Sequence, residues 1–301
     1  MEIHTDWSTP GFSLEPCAPG VGPFAGRGFL ETWWNQRGSG EMMLVESEGA
    51  LLPLYRDGGV VRFLGEPGLT DYHTPRGQDA AALVASLASS LPGGTSLSFD
   101  SLPVEASDVV EGGLGAAGIA AGRVRHEVAA VLRLPGTYDE YLAGLSSKDR
   151  HETRRKRRRF AAALGEPHLV RDGSVGAFDA FVTMHRAALG EKGAFFDDAM
   201  ASFFAALLDL DGAALDLLTA GDGTPVAAAF GFEEPDAYYL YNSAFDPDLG
   251  KVSPGVVLVD RMIEQAIAAG RARFDFLKGD EAYKFRMGAE ARPLFRVEAA
   301  L

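Results

Sequence analysis

The chain has a single cysteine, no long apolar run and too few basic residues to balance its acids. A lone Cys17 excludes a disulfide framework and fits a reducing compartment. No stretch approaches the roughly 18 apolar residues that would cross a bilayer. The start, MEIHTDWSTP, lacks the basic and apolar regions of a signal peptide. These absences lead to the expectation of a cytoplasmic protein with no membrane partner. The six histidines are scattered and, with one cysteine, show no zinc-ligand spacing, so no metal is expected. With 28 Lys and Arg against 42 Asp and Glu, the net charge is -14 and the pI near 4.9. That balance opposes a dedicated nucleic-acid binder, which spreads positive charge over a face. No short-period repeat is present.

What is there suffices for two cores. A length of 301 residues, 47% apolar and 10% aromatic, suits two domains of about 150 residues each. One segment is out of character: SSKDRHETRRKRRRF, residues 146–160, in which Lys148, Arg150, Arg154, Arg155, Lys156, Arg157, Arg158 and Arg159 face only Asp149 and Glu152. Its net charge of +6 leaves -20 for the rest of the chain. On a helix the six consecutive cations 154–159 turn through about 600°, so they cannot all meet one ligand. Some must face the protein body and its carboxylates, and Glu152 is spaced to pair with Arg155 and Lys156. The segment therefore reads mainly as a self-neutralising helix whose first turn, with Lys148 and Arg150, offers cations to a phosphorylated ligand.

Periodicity places a short helix around Phe29–Trp34, strands at Met42–Glu46, Leu51–Tyr55 and Val60–Leu64, a helix at Gln78–Ser90, a strand at Ser96–Ser101 and a long strand at Val124–Leu134. Pro135-Gly136 then breaks the chain. A similar succession follows. Helices at Tyr138–Leu145, Asp149–Leu164, Val175–Leu189 and Ala199–Leu208, with a short strand at His168–Arg171, lead into an antiparallel meander, Ala214–Ala220, Pro225–Glu233 and Ala237–Ser243. A helix (Pro254–Ala269), a strand (Arg273–Leu277), a short helix near Glu281–Arg286 and a strand (Arg292–Glu298) complete it. The expected fold class is α+β, in two domains, 1–135 and 136–301.

Three stretches are candidates for chemistry. In LGKVSPGVVLVDRMIEQAIAAG, Ser253 suits an N-cap, Pro254 the first helical position and Gly270 the C-terminal stop. Free N–H groups at that helix start, with Lys251 beside them, suit a pyrophosphate; a well-capped helix without a ligand explains the same letters. In FDFLKGDEAYKFRMG, Asp280 and Lys284 stand at i,i+4. One alternative is a surface helix; the other sets Tyr283 and Lys284 at a cleft floor, a phenol passing a proton and an ammonium meeting developing negative charge. In LGEPGLTDYHTP, Asp71, Tyr72 and His73 fall on a loop at a sheet edge, where binding residues gather but where a turn capped by Asp is equally at home. GLGAAG at 113–118 matches a dinucleotide fingerprint, but no clear strand leads into it, and with 36 glycines a chance match is expected.

Together, LSSKDRHETRRKRRRFAAALGEPHLV and SPGVVLVDRMIEQAIAAGRARFDFLKGDEAYKFRMGA resemble the GNAT-superfamily acyltransferases of the cellulose-biosynthesis-like group, which are related to the Fem-type aminoacyltransferases of peptidoglycan synthesis. PFAGRGFLETWW and GALLPLYRDGGVVRFLGEPGLTDYHTP extend the resemblance into the first half. It implies two tandem GNAT-like domains facing a shared cleft, with an acyl donor, acetyl-CoA or another acyl-CoA, held in the second. It also implies a small-molecule amine as acceptor. By that resemblance Tyr241, Asn242, Lys251, Val252, Ser253 and Gly255 fall at the donor site, with Tyr239–Asn242 N–H groups facing the oxyanion. Tyr283, Lys284 and Asp280 fall at the reacting centre, and Asp71, Tyr72, Lys148, Arg150 and Tyr239 toward the acceptor. One departure is that Gly250-Lys251-Val252-Ser253-Pro254-Gly255 stands where common GNAT enzymes carry Arg/Gln-x-x-Gly-x-Gly/Ala, and Pro254 removes an N–H donor. Two alternatives stay open: transfer from an aminoacyl-tRNA, the only reading in which nucleic acid is a partner, and a degenerate, non-catalytic binding module.

Overall fold

Two groups of residues fold around separate cores in the computed structural model, which describes residues 1–190 and 193–301: Met1–Ala129 with Arg292–Leu301, and Ala130–Ala291. In the first unit the strands are β1 (Glu2–His4), β2 (Glu41–Ser47), β3 (Ala50–Asp57), β4 (Val60–Phe63), β5 (Ser96–Leu102) and the first part of β6 (Ala121–Arg133). The second unit holds β7 (His168–Arg171), β8 (Ala213–Thr219), β9 (Pro225–Glu234), β10 (Ala237–Phe245) and β11 (Arg273–Lys278). The last strand, β12 (Glu290–Ala300), returns to the first unit beside β5, with Val297 opposite Phe99. Sequence had placed that strand with the second half and the division at 135. The structure divides the chain at Ala129/Ala130, because β12 buries Leu294 and Val297 in the first core, a non-local pairing that no local pattern encodes.

The two units repeat one design. In the first, β2, β3 and β4 form an antiparallel meander, the helix Ala80–Ser90 crosses over, and β5 pairs parallel to β4 through Val60–Ser96 and Val61–Leu97. In the second, β8, β9 and β10 are the meander, the helix Pro254–Ala268 crosses over, and β11 runs parallel to β10. Parallel neighbours need such a crossover, since a tight turn joins only antiparallel strands. The crossover helix of the second unit turns Val257, Leu258, Ile263 and Ile267 into a core shared with Tyr238, Phe274 and Phe276. Each such aliphatic side chain contributes about 1.5–3 kcal/mol on burial. GLGAAG falls largely within the helix Val104–Ala116, as its rejection as a nucleotide loop requires. Among the described residues no helix is long and apolar enough to cross a membrane.

Candidate functional site

The crossover of the second unit leaves an opening in the sheet. Strand β10 pairs with β11 over Ala237–Tyr239 against Arg273–Asp275, yet it runs on to Phe245. On its other side the ladder with β9 shifts register between Leu240 and Asn242, a β-bulge that increases twist and re-aims the strand. The two parallel strands therefore part just beyond Tyr239. Asn242, at the bulge, is fixed from behind by His185 of the helix Val175–Ala187, whose Nε2 lies 2.6 Å from Asn242 Oδ1. That imidazole is 1% exposed and stacked on Phe196. Sequence missed His185; its only signal was a histidine on the same helical face as Phe181 and Met184.

Beyond the opening, the short 3-10 helix Pro247–Val252 leads to Ser253, which adopts the left-handed conformation (φ 57°, ψ 50°) before Pro254 opens the crossover helix. Ser253 was expected to cap that helix with its hydroxyl. Instead its carbonyl accepts from Val256 and Val257, and its side chain makes no cap bond, because the left-handed backbone turns it away from the helix axis. A left-handed non-glycine residue costs roughly 1–2 kcal/mol and is concentrated at functional sites. Gly255 admits the ring of Phe245, the last residue of β10: a Cβ there would lie 3.0 Å from Phe245 Cδ1. Lys251 is exposed and without a partner among the described residues. Tyr241 is half-buried, its ring stacked on Phe204 at 5.2 Å. Lys251, Val252, Ser253 and Gly255 thus sit in one continuous turn that follows the bulge carrying Tyr241 and Asn242.

The penultimate residue of β11 is also left-handed: Leu277 (φ 61°), whose N–H donates to Asp275 Oδ1 at 2.8 Å. Lys284 holds this turn. Its Nζ donates to the carbonyl of Lys278 at 2.5 Å, reaches those of Leu277 and Gly279 at 3.4 Å, and pairs with Glu281 at 3.0 Å. The ammonium is committed to the backbone and does not stand bare at a cleft floor. The expected Asp280–Lys284 pair is replaced by Glu281–Lys284, because the helix begins only at Ala282 and Asp280 lies outside it, exposed. Tyr283 is half-buried against Phe276, and burial, with the Glu281 carboxylate, pushes its phenol up to about 12. Tyr239 was expected to face an acceptor. It is fully buried, donating to Glu234 at 2.7 Å and accepting from Arg273 at 2.7 Å, and burial raises its pKa.

The first unit closes the equivalent place with its own chain. The loop after β4, expected at a sheet edge, is buried from Leu69 to Arg76. Its His73 N–H donates to the Ser101 carbonyl, and its Arg76 bonds the carbonyls of Leu14 and Ala25. Tyr72 is fully buried between Phe24 and the Arg292 guanidinium, and Asp71 is 9% exposed. Both side chains, expected by the resemblance to face an acceptor, are buried within the first unit.

The basic helix, Ser147–Leu164, divides differently from expectation. Arg155 and Lys156 pair with Glu152 as predicted, and Arg157 is anchored on Asp260 and Glu264 of the crossover helix. Arg150, expected to meet a ligand, instead bonds the carbonyls of Leu142 and Ala143, the end of the preceding helix, which would otherwise be orphaned. Lys148 stays exposed. The cations left without partners among the described residues are Lys148, Arg154, Arg158 and Arg159, so self-neutralisation is only partial.

Residues 147–285 match the family model described as an acetyltransferase (GNAT) domain. The second unit therefore carries a GNAT-type acetyltransferase domain, and the chain as a whole is a mixed α/β fold whose first unit repeats the meander–helix–parallel-strand design of the second. No curated protein matches the chain. Among solved structures it is similar to FemX, at 12% identity, with 100% of this chain and 98% of that one covered and a TM-score of 0.64. It is also similar to L-PGS from Bacillus licheniformis (13% identity, 93% of each chain, TM-score 0.61). The C-terminal domain of a putative lysylphosphatidylglycerol synthetase from Agrobacterium fabrum is a third (14%, 93% of this chain and 87% of that one, 0.59). At such identities the likeness is one of fold.

Proposed function

We propose that the protein is an N-acyltransferase of the cellulose-biosynthesis-like group, moving an acetyl or longer acyl group from acyl-CoA to an amine of a sugar or small metabolite. The observation that carries it is the parting of β10 and β11 beyond Tyr239, beside a turn that offers Lys251 and a helix start. An extended acyl-pantetheine chain fits such an opening as a strand-like insertion, with its pyrophosphate against the helix N-terminus. The filled equivalent in the first unit favours a single donor site, in the second. In the reaction the amine nitrogen bonds to the thioester carbonyl carbon while backbone N–H groups near the bulge meet the oxyanion. The C–S bond then breaks, the proton lost by the amine nitrogen passes through solvent to the leaving sulfur, and the Tyr283 phenol, held protonated by burial, stands as hydrogen-bond donor to the charge developing there. Calorimetry with acetyl-CoA tests the donor. Lys251→Glu and Ser253→Asp, each placing a carboxylate where the pyrophosphate lies, are expected to weaken binding by about tenfold or more. Absence of binding by the unaltered protein removes CoA from the proposal.

The unpaired cations favour a second reading, with an aminoacyl-tRNA as donor. His151, Arg154 and Arg158 share one helix face and, with Arg157, line a cavity of about 440 Å³. Arg157 and Arg158 also line a second of about 390 Å³ with His168 and Arg261. Phosphates of an RNA backbone suit both. Expected on this reading is tRNA affinity falling steeply with salt, and a log–log slope reduced by about 0.7–0.9 for each of Arg154→Glu and Arg158→Glu. Absence of tRNA affinity at about 50 mM salt, where phosphate contacts are strongest, sinks it.

A further inference from the structure

A histidine sits where a phenylalanine would pack as well. His185 is 1% exposed among aromatic rings, stacked on Phe196 at 4.5 Å and set edge-on to Phe181 at 5.0 Å. What the imidazole adds to that packing is a bond to Asn242 Oδ1, 2.6 Å from Nε2. A carboxamide oxygen only accepts, so the hydrogen lies on Nε2. The rings on either side hold the imidazole plane, and the bond in turn fixes the carboxamide. Its oxygen faces His185, and Nδ2 with two hydrogens is turned the other way. Nδ2 has no hydrogen-bond partner among the described residues, and Asn242 is half-buried rather than enclosed.

The ladder of the meander decides which side of the sheet this group serves. Asn242 stands opposite Phe230 in the β9–β10 pairing and shares its face. Phe230 lies against Phe181 of the helix Val175–Ala187 and Phe204 of the helix Asp198–Leu207, centroids 6.3 and 5.2 Å away. Ala229, the preceding residue, faces the other way, into the core shared with Val257 and Ile263 of the crossover helix. The Asn242 side chain is therefore on the face opposite the crossover helix, whose start is the proposed seat of the donor pyrophosphate. A donor that enters from one face leaves the other to the attacking amine.

We propose that the Asn242 carboxamide is a hydrogen-bond donor to the acceptor, that His185 is its positioning residue, and that the acceptor is an amine with an oxygen on the neighbouring carbon, an amino alcohol or amino sugar. The inference rests on the acyl-CoA reading above and narrows its acceptor. The attacking nitrogen must stand about 3–3.5 Å from the thioester carbon, beside the bulge that carries Asn242. A side chain as short as asparagine reaches from there only to a group one or two bonds from that nitrogen. With its own oxygen occupied by His185, the carboxamide has only hydrogens to offer, so the group that meets it is an oxygen. The flanking Phe181, Phe196 and Phe204 make it the polar contact of an otherwise aromatic wall.

The test measures thiol release from acetyl-CoA by the full chain with size-matched amines: ethanolamine against propylamine, and glucosamine against cyclohexylamine, each compared as free base. The oxygen-bearing member of each pair is expected to have the higher kcat/KM by about tenfold or more. In Asn242→Leu, which is similar in shape, that ratio is expected to fall to about one. His185→Phe keeps the ring stack and removes the donor; it is expected to raise KM for the oxygen-bearing amine about tenfold, with KM for acetyl-CoA within about twofold. His185→Gln, whose amide N–H can donate again, is expected to recover part of the loss. No preference in the unaltered protein, a preference intact in Asn242→Leu, or His185→Phe raising both KM values alike overturns the assignment. Acetyl-CoA bound in calorimetry without turnover of any of these amines overturns this acceptor class alone, whereas no acetyl-CoA bound removes the donor reading and this inference together.

Discussion

Replacing Arg157 with Met is expected to destabilise the protein by about 3–5 kcal/mol and lower its melting temperature by on the order of 10 °C. Arg157 Nε stands 2.9 Å from Asp260 Oδ2, and Asp260 is 1% exposed on the crossover helix. Tyr138 donates to the other carboxylate oxygen at 2.7 Å. Burial pushes the Asp260 carboxyl upward while Arg157 and the Tyr138 hydroxyl pull it down, and burial prevails. Removing the guanidinium leaves a buried carboxylate with one neutral partner and with Glu264 nearby, so its pKa rises further. A carboxyl whose folded pKa exceeds the unfolded one gives stability that is complete below the unfolded value and is lost as pH rises through the folded value. The loss in Arg157→Met is therefore expected to be largest at neutral pH and smaller near pH 4, read as Tm across pH. Arg154→Met, which removes an exposed cation without a partner, is expected to stay within about 0.5 kcal/mol at every pH. Equal effects of the two substitutions, or a loss that deepens in acid, would refute the anchoring role.

That contrast shows what the charge run does and why its letters did not reveal it. Counting cations and helical turns established that the six could not act together, and Glu152 identified two by spacing. Which others were anchored depended on Asp260 and Glu264, about a hundred residues away, and on the end of the neighbouring helix at Leu142 and Ala143. The elements were largely legible, because alternating β-branched runs and capped apolar stripes are local: His168–Arg171 was placed to the residue, and Pro225–Glu233 and Pro254–Ala269 within one. The Ala- and Gly-rich run at 105–120 folds as the helix Val104–Ala116, its propensity weak but its face of Ala106, Val110 and Leu114 buried. Two features stayed hidden. The exchange of β12 into the first unit is a long-range pairing. The left-handed Ser101, Ser253 and Leu277 are not glycines, so no residue preference announces them.

For the site, residue type was a better guide than role. Lys284 was marked as a charge near the chemistry; its ammonium instead clamps the Leu277–Gly279 turn. Tyr239 and Tyr241 alternate along β10 as a strand demands, and only the bulge separates a buried core phenol from a half-buried ring beside the opening. The loop bearing Asp71 and Tyr72 was placed at a sheet edge as a candidate for binding. Its polarity serves the bonds that stitch it to the N-terminal segment and β5.

Tyr283→Phe is expected to lower kcat about 100-fold in acetyl-CoA-dependent acylation of an accepted amine, with KM for acetyl-CoA nearly unchanged. The ring packs against Phe276 and the core, so phenylalanine keeps the shape and removes only the hydroxyl. Burial holds that phenol near 12, and a thiol leaving group ionises near 8.5, so complete proton transfer to the thiolate is uphill by several units. In the reaction proposed above, the hydroxyl acts as a hydrogen-bond donor to the charge that develops on sulfur, an interaction stronger in the transition state than in the ground state, so kcat and not KM is expected to carry the loss. The same position makes a pH prediction. A phenol that stays protonated to about 12 produces no falling alkaline limb in kcat below about pH 10, and the profiles of the unaltered protein and Tyr283→Phe are expected to run parallel there. Thiol release measured from about pH 6 to 10 checks both statements. An unchanged kcat places Tyr283 outside the reaction. An alkaline limb near 9 that vanishes with the hydroxyl would instead make it a true proton donor, its pKa brought down by the bound donor.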